Sequence, residues 1–553
     1  MRKRLVLAII IATTAIGGLI RFADIGNTPA GLNVDEVAIG YDAYSILKTG
    51  KDTRGLFMPV SFPSLEDYKP PIYIYLTSIM IALFGLNEFS VRLTSAFFGT
   101  LAIPLVFLLA NKIFRNEKIG IFSMFFLAIS PWHIFYSRIV SESQVAMVLV
   151  MSGFFALMRY REGNRLWGYL SISLLVSSMY AYHSERLFIP LFLLMWVYFN
   201  KNWLLKIKKE VIPLFLFGTV LFLPLIFDIF FGKGGTRANQ ESVYNDINFL
   251  RQVFVSPVNN ITPFKLFYGF FNQEWNLATF FVIRKYFSFF QPDFLFFHAL
   301  PILKTELYGL GVMYIFQAPI LLIGVIKSFS LKSNSKYLLL PWFFLGLLPA
   351  SVTLAEHHTI RTLIIVPVLA IISGVGLLTI LNWFSQIKNG FVKAIVILST
   401  LFITTVNLLQ AFLMFNVHFP VQKSDTFMVG NKEAIAWIKE NKNIKEIVFD
   451  PRRLTDGQII ISVPYLYYLF YTNYDPKAFQ DQLQNHSTNP LKIKNLTFRE
   501  IDWVKDYNKK DVVFIGDPFF IPEKDFRQEQ ILKKIYSKNE KPVLFIVNPS
   551  YAH

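Results

Sequence analysis

Long apolar runs alternate with short polar connections through the first 415 residues, and this alternation sets the architecture. Runs able to cross a hydrocarbon core of about 30 Å recur near 5–23, 90–111, 119–136, 143–159, 167–182 and 187–200. Others lie near 211–231, 307–326, 337–354, 361–382 and 393–415. The pattern predicts an α-helical polytopic membrane protein with about eleven transmembrane helices. The first run, Leu5–Ile20 after a basic Met-Arg-Lys-Arg start, is followed by no clear small-x-small site, so it reads as an uncleaved span rather than a signal peptide. One further apolar segment, Pro70–Gly85, is assigned by charge. If it crossed, the basic loops of Lys112, Arg115 and Lys118, and of Lys201, Lys206, Lys208 and Lys209, would lie outside. If it lies along the interface as a juxtamembrane helix, with proline in its first turn, both loops join Arg2, Lys3 and Arg4 inside. Arg159, Arg161, Arg165, Lys327, Lys332, Lys336, Lys388 and Lys393 then agree. Positive charge in short loops marks the cytoplasmic side, so the second arrangement is expected. The outside then receives a first loop, 24–89, the segments Ser130–Ser143 and His183–Arg186, a long loop, 232–305, Glu356–Arg361 and the C-terminal tail.

After Phe415 the pattern changes. Lys432–Asn441 reads as a helix, and Glu446–Asp450, Asp511–Gly516 and Pro542–Asn548 read as buried strands. We therefore expect a membrane domain over 1–415 and an extracytoplasmic α/β domain over 416–553. The aromatic runs Tyr286–Phe290 and Phe294–Phe297 fit interfacial helices lining a lipid-tail groove, and equally fit aromatic anchors at the headgroups. Of the 553 residues 54% are hydrophobic and only 16% charged, which excludes an ordinary soluble domain. The net charge of +17 is distributed over inside loops and forms no phosphate-binding face, so no nucleic-acid partner is expected. With Cys 0, disulfide and thiolate chemistry are excluded.

Candidate chemistry gathers in the outer loops. Asn33 reads as a helix N-cap with Glu36 at the third position, and Lys48 with Gly50 closes that helix. Acids in a first turn favour the helix dipole, so Asp35 and Glu36 have a structural reading beside a catalytic one. Lys69 before Pro70-Pro71 is either an interfacial lysine with its stem in apolar surface or a cation held at headgroup depth for a phosphate. Arg92 admits both readings. Arg138 and Glu142 could simply pair at i,i+4. His183, His357 and His358 lack the His-Glu-x-x-His pattern of a zinc site and read as hydrogen-bonding, acceptor-orienting groups. No Gly-rich phosphate loop is present.

Together, Asn33-Val34-Asp35-Glu36, Tyr68-Lys69-Pro70-Pro71 and Phe84-Gly85-Leu86-Asn87-Glu88-Phe89-Ser90-Val91-Arg92-Leu93 resemble glycosyltransferase family 39 of the GT-C superfamily. That family includes protein O-mannosyltransferases and is similar to the lipid A aminoarabinose transferases. Ser130-Pro131-Trp132-His133, Ser137-Arg138 through Glu142, and Tyr180-Ala181-Tyr182-His183-Ser184-Glu185-Arg186 extend the resemblance, which is most specific over 30–145. It implies a GT-C-like fold in the plasma membrane and a polyprenyl-phosphate-linked monosaccharide as donor. It also implies inverting transfer to a protein, lipid or glycan hydroxyl on the extracytoplasmic face. By the same resemblance Asp35 is the catalytic base, Glu36 and Glu142 are its acidic companions, and Lys69 contacts the donor phosphate. Arg92 matches the arginine that ends this loop in the family. From their place in the outer segments, one or more of Arg92, Arg138 and Arg361 are expected to join Lys69 on the phosphate, and His183, Arg186, His357 and His358 to orient acceptor or sugar. Glu142 stands where relatives commonly carry Asp, which leaves a divalent metal at that point open. An envelope polysaccharide polymerase or ligase is the nearest alternative. A transporter would carry ionisable groups near the bilayer midplane, whereas these spans are nearly free of interior acids.

Overall fold

The computed structural model describes residues 2–64, 67–245, 274–297, 310–329, 336–355, 358–455, 457–485 and 490–550. The middle of the long 232–305 loop and His357 lie outside the described residues. The membrane part is a bundle of helices: α1 (Arg2–Phe22), α2 (Val34–Thr49), α3 (Pro71–Phe84), α4 (Glu88–Phe114), α5 (Glu117–Ile129), α6 (Pro131–Arg138), α7 (Glu142–Tyr160) and α8 (Leu166–Ala181). It continues with α9 (Glu185–Lys206), α10 (Lys208–Phe230), α11 (Thr236–Glu241), α12 (Glu274–Ser288), α13 (Gln317–Phe329), α14 (Lys336–Ser351), α15 (Thr359–Thr362), α16 (Val366–Gln386) and α17 (Gly390–Leu413). A two-stranded ribbon, β1 (Phe62–Pro63) and β2 (Tyr68–Lys69), leads into α3.

Among the described residues seven helices are long and apolar enough to cross a membrane, and α5 with α6, bent by 55° where Pro131 interrupts the helix, makes an eighth candidate. Shorter apolar helices are α3, α8, α13 and Leu338–Ser351. The chain is an integral membrane protein with the expected mostly helical class. At 14 residues, α3 is about 21 Å long, short of a bilayer core. The segment Thr359–Gln386 is central, with 78% of its apolar window buried, whereas in Gly390–Gln422 only 6% is buried. A helix apolar on every face and uncovered by protein is at home only in lipid. Glycine lets α13 and α16 touch: a Cβ on Gly324 would lie 2.1 Å from the Ile372 carbonyl oxygen, and one on Gly376 2.0 Å from that of Ile320.

Beyond α18 (Phe419–Gln422), α19 (Asn431–Glu440) opens a part built on a six-stranded sheet of order β6-β7-β3-β8-β10-β9. The strands are β3 (Glu446–Phe449), β6 (Leu491–Ile493), β7 (Leu496–Phe498), β8 (Val512–Gly516), β9 (Ile531–Tyr536) and β10 (Pro542–Val547). The central strands β7, β3 and β8 are parallel and, apart from Glu446 and Thr497, apolar or glycine, the pattern of strands covered on both faces. A side hairpin, β4 (Arg452–Thr455) with β5 (Gln458–Ile461), and helices α20 (Pro464–Tyr471) and α21 (Pro476–Asn485) complete it. Leu32, Val37 and Tyr41 share one apolar core with Tyr467, Phe470 and the sheet, so this part is continuous with α2.

Candidate active site

The first turn of α2 organises the site. Asn33 and Glu36 form the expected capping box, and Gly50 ends the helix in the left-handed conformation at φ 68°. Neighbours on a helix point about 100° apart, and Asp35 and Glu36 meet opposite surroundings. Glu36 is fully buried. It accepts from Arg92 Nε at 2.9 Å and Nη2 at 2.8 Å, from the Val140 amide at 3.0 Å and from the Asn33 amide at 3.1 Å. Arg92, also fully buried, donates in addition to the carbonyls of Ile25, Pro29 and Gly31. This saturated pair ties the first loop to α4. Contrary to expectation, neither residue lines the cavity beside Asp35: their hydrogen-bonding capacity is already satisfied inside the protein.

The Asp35 carboxylate is 54% exposed and faces a cavity of about 170 Å³, lined also by Lys69, Glu142, Tyr182, Arg237 and His358. From Asp35 a run of alternating charge leads around the wall. Lys69 Nζ is 3.0 Å from Asp35 Oδ1 and 3.6 Å from Asp67 Oδ2, and Arg237 Nη1 is 2.7 Å from that same Asp67 oxygen. Arg237 Nε is 3.4 Å from Glu241, which pairs in turn with Arg361. The Lys69 ammonium, with its own arginine neighbour, holds the Asp35 carboxyl below its ordinary range against the opposing effect of burial. Burial pulls the Lys69 ammonium down, but the attraction of Asp35 outweighs it and leaves the group above its ordinary value. Both are therefore ionised at neutral pH. Glu142, at the start of α7, is 7% exposed, and its Oε1 has no hydrogen-bond partner among the described residues.

His183 supports the site from behind. Its Nε2–H donates to the Tyr68 carbonyl at 3.0 Å and so fixes the strand carrying Lys69. Burial, aided by nearby arginines, keeps this imidazole and that of His358 well below the ordinary histidine value, so both are neutral donors or acceptors. Arg186 donates to the Met179 and Gly234 carbonyls and steadies the approach to α11 without lining the cavity. Arg138 lies away from the cavity as well, on the Ile20 carbonyl at 2.8 Å. Arg361 stands behind Glu241, with Nη1 buried and without a hydrogen-bond partner among the described residues. Arg237 and Asp67 were not anticipated; the i,i+4 spacing of Arg237 and Glu241 is the signal that could have drawn notice to α11. Among the described residues no three His, Asp or Glu side chains converge as metal ligands.

The arrangement presents an ionised carboxylate, two cations and an unpaired buried carboxyl to one small space, at the ends of several apolar helices. Residues 68–227 match the sequence profile of a family described as Dolichyl-phosphate-mannose-protein mannosyltransferase. No curated protein sequence matches the chain. Among solved structures, ArnT from Cupriavidus metallidurans in the apo state aligns at 11% identity and a TM-score of 0.58, covering 98% of each chain. The same protein bound to undecaprenyl phosphate aligns at 11% identity and TM-score 0.54, covering 99% of each. More distant is the oligosaccharyltransferase AglB from Archaeoglobus fulgidus, at 13% identity and TM-score 0.49, over 80% of this chain and 58% of that one. Residues 68–227 are thus similar to that mannosyltransferase family, and along nearly its whole length the chain has a fold like that of ArnT.

Proposed function

We propose that the protein transfers a monosaccharide from a polyprenyl-phosphate-linked donor to an acceptor hydroxyl on the extracytoplasmic face, with Asp35 as general base. The observation that carries this reading is the juxtaposition of Asp35, Lys69, Arg237 and Glu142 around one cavity. ArnT, which has a similar fold, is known bound to undecaprenyl phosphate, and the family profile names a dolichyl-phosphate donor.

In the proposed reaction the acceptor oxygen attacks the anomeric carbon as the bond from that carbon to the phosphate oxygen breaks. The hydroxyl proton passes to Asp35, and the lipid phosphate leaves with the bonding electrons. A single displacement inverts the anomeric centre. Asp35 suits the base role because Lys69 keeps it ionised and its carboxylate is open to the cavity. Lys69 and Arg237 already hold one carboxylate oxygen of Asp67 between them, as they would hold a phosphate oxygen gathering charge. Glu142 offers its unpaired oxygen to a sugar or acceptor hydroxyl. His183 is a positioning residue for Lys69, and His358 faces the sugar side. Arg361 acts through Glu241 on Arg237, while Arg92 and Arg138 hold the surrounding backbone. The direct test is transfer of radiolabelled mannose, then other sugars, from undecaprenyl-phosphate donors in proteoliposomes. Wild type should transfer label and Asp35→Ala should not; transfer by neither, across the donor panel, would refute the reading.

A further inference from the structure

Helix α2 touches the C-terminal part at both of its ends and in the middle. Before its first turn, Tyr467 Oη donates to the Leu32 carbonyl at 2.8 Å, one residue ahead of the Asn33 cap. Midway, Tyr41 Oη donates to the Tyr474 carbonyl at 2.9 Å. There the helix also approaches so closely that a Cβ on Gly40 would lie 2.7 Å from the Phe470 ring and 2.8 Å from Val91. At the far end the Gln480 amide donates to Ser45 Oγ at 2.9 Å, Thr49 Oγ1 at 3.2 Å and the Asp52 carbonyl at 2.8 Å. Tyr467 and Gln480 are buried, at 1% and 4% exposure, so these bonds form away from competing water. On the opposite side Ile39, Ala43 and Ile46 pack on Tyr73 and Ile74 of α3. The first turn of α4 is held too: Lys432 pairs with Glu88 at 2.7 Å and Tyr471 donates to the same carboxylate at 3.2 Å.

We propose that the C-terminal domain is a positioning part of the active site, and that Tyr467 and Gln480 clamp α2 so that Asp35 stays within reach of Lys69. The proposal rests on the reading of Asp35 as base. It follows from where Asp35 stands. Among the described residues its side chain has one ion-pair partner, Lys69, and it is half-exposed, so the carboxylate goes where the first turn of α2 goes. The buried Glu36–Arg92 pair fixes that turn against α4, and Ile39, Ala43 and Ile46 rest the length of the helix on α3, which leaves its opposite side to be held. The α20–α21 segment supplies that hold through bonds spaced along it, while Lys69 comes from the ribbon on the other side. The clamp and the ribbon thus set the two ends of one ion pair independently.

The test uses the full-length protein in nanodiscs, as wild type, Tyr467→Phe and Gln480→Met, with undecaprenyl-phosphate mannose as probe donor. Hydrogen–deuterium exchange across residues 34–49 reads the clamp without reference to activity. Both variants should exchange at least several-fold faster there, at unchanged rates in α4 and α7. Turnover should fall about 10–100-fold, the scale of a misplaced catalytic group, with donor KM within about twofold. Asp35 is faced by Lys69, Arg237, Glu142 and the neutral His358. Loss of its Lys69 contact should therefore move the acid limb of kcat/KM upward, a shift that a mere loss of folded protein does not produce. Unchanged exchange in 34–49 overturns the proposal, as does activity lost only in proportion to folded protein with the acid limb unmoved. If Tyr467→Phe fails to fold, Gln480→Met alone decides between these results. A wild type that transfers no sugar from any donor of the panel refutes the role of Asp35, while the exchange measurement still decides the clamp.

Discussion

Asp35→Asn separates the two roles open to the first turn of α2. The capping box is made by Asn33 and Glu36, so the substitution leaves the cap intact and keeps a side chain of the same size. What it removes is one ion pair with a half-exposed member, a contact worth roughly 0.2–1 kcal/mol, and a favourable first-turn charge worth about 0.3–1 kcal/mol. Lys69 keeps Asp67 at 3.6 Å as a second counter-charge. Stability should therefore fall by no more than about 2 kcal/mol. An amide cannot take the acceptor proton, and losing a general base costs about 10²–10⁴-fold in rate, or about 2.7–5.4 kcal/mol of barrier. Thermal unfolding in nanodiscs should thus barely move while single-turnover transfer at saturating donor collapses. A variant within threefold of wild-type rate, with chemistry rate-limiting, would refute the assignment.

Arg92→Ala should behave in the reverse sense: it strands a fully buried Glu36 carboxylate, costing about 3–5 kcal/mol, and should appear as lost folded protein in size-exclusion chromatography rather than as a slower folded enzyme. Lys69→Ala and Arg237→Ala should each raise donor KM by tens of fold, since a charge-assisted contact contributes about 1.5–3 kcal/mol; unchanged donor use in both would remove the phosphate from this wall. Because the Asp35 carboxyl lies below its ordinary range, activity and the stability of the Asp35–Lys69 pair should persist above the unfolded value near 3.9 and be lost only as pH falls through the lower folded value. Lys69→Met should shift that acid limb upward in a pH–rate profile. Single cysteines at Leu56 and Asn87, introduced into a chain with Cys 0, should both label with an impermeant thiol reagent from outside; labelling from opposite sides would make α3 a crossing helix.

Local chemistry was the most legible part of the sequence. The ends of α2 follow from Asn33, Glu36 and Gly50, because caps and left-handed glycine termini are decided within a few residues. The strands β3, β8 and β10 were visible as short apolar runs. The hairpin β4–β5 and the strands β6, β7 and β9 were not, being short or polar and made into strands by their neighbours. The divergence of Asp35 from Glu36 was equally hidden. It depends on Arg92, which lies 56 residues further on and reaches Glu36 only through the packing of α2 on α4. Arg92 itself looked like a phosphate ligand because sequence shows a cation at a helix end and not the three carbonyls it serves. Arg237 sits on the short helix α11, whose six residues give little periodicity beyond the i,i+4 pairing with Glu241, so only the folded chain brings it to Asp67.

The run of charges around the cavity has a consequence for how an anion arrives. Asp35, Asp67 and Glu241 alternate with Lys69, Arg237 and Arg361, three carboxylates against three cations, so the ladder sums to zero. A neutral array casts little field beyond a Debye length of about 8–10 Å, and it lacks the one-signed lining that draws charged ligands in from solution. Soluble phosphates and nucleotides gain no steering toward this wall. If this wall binds the donor phosphate as proposed, recognition should operate at contact, the incoming group displacing Asp67, and should favour a ligand delivered along the bilayer over one delivered by diffusion through water. Capture of a lipid-borne donor should accordingly be nearly indifferent to ionic strength, an insensitivity that a cleft lined with cations alone would not show.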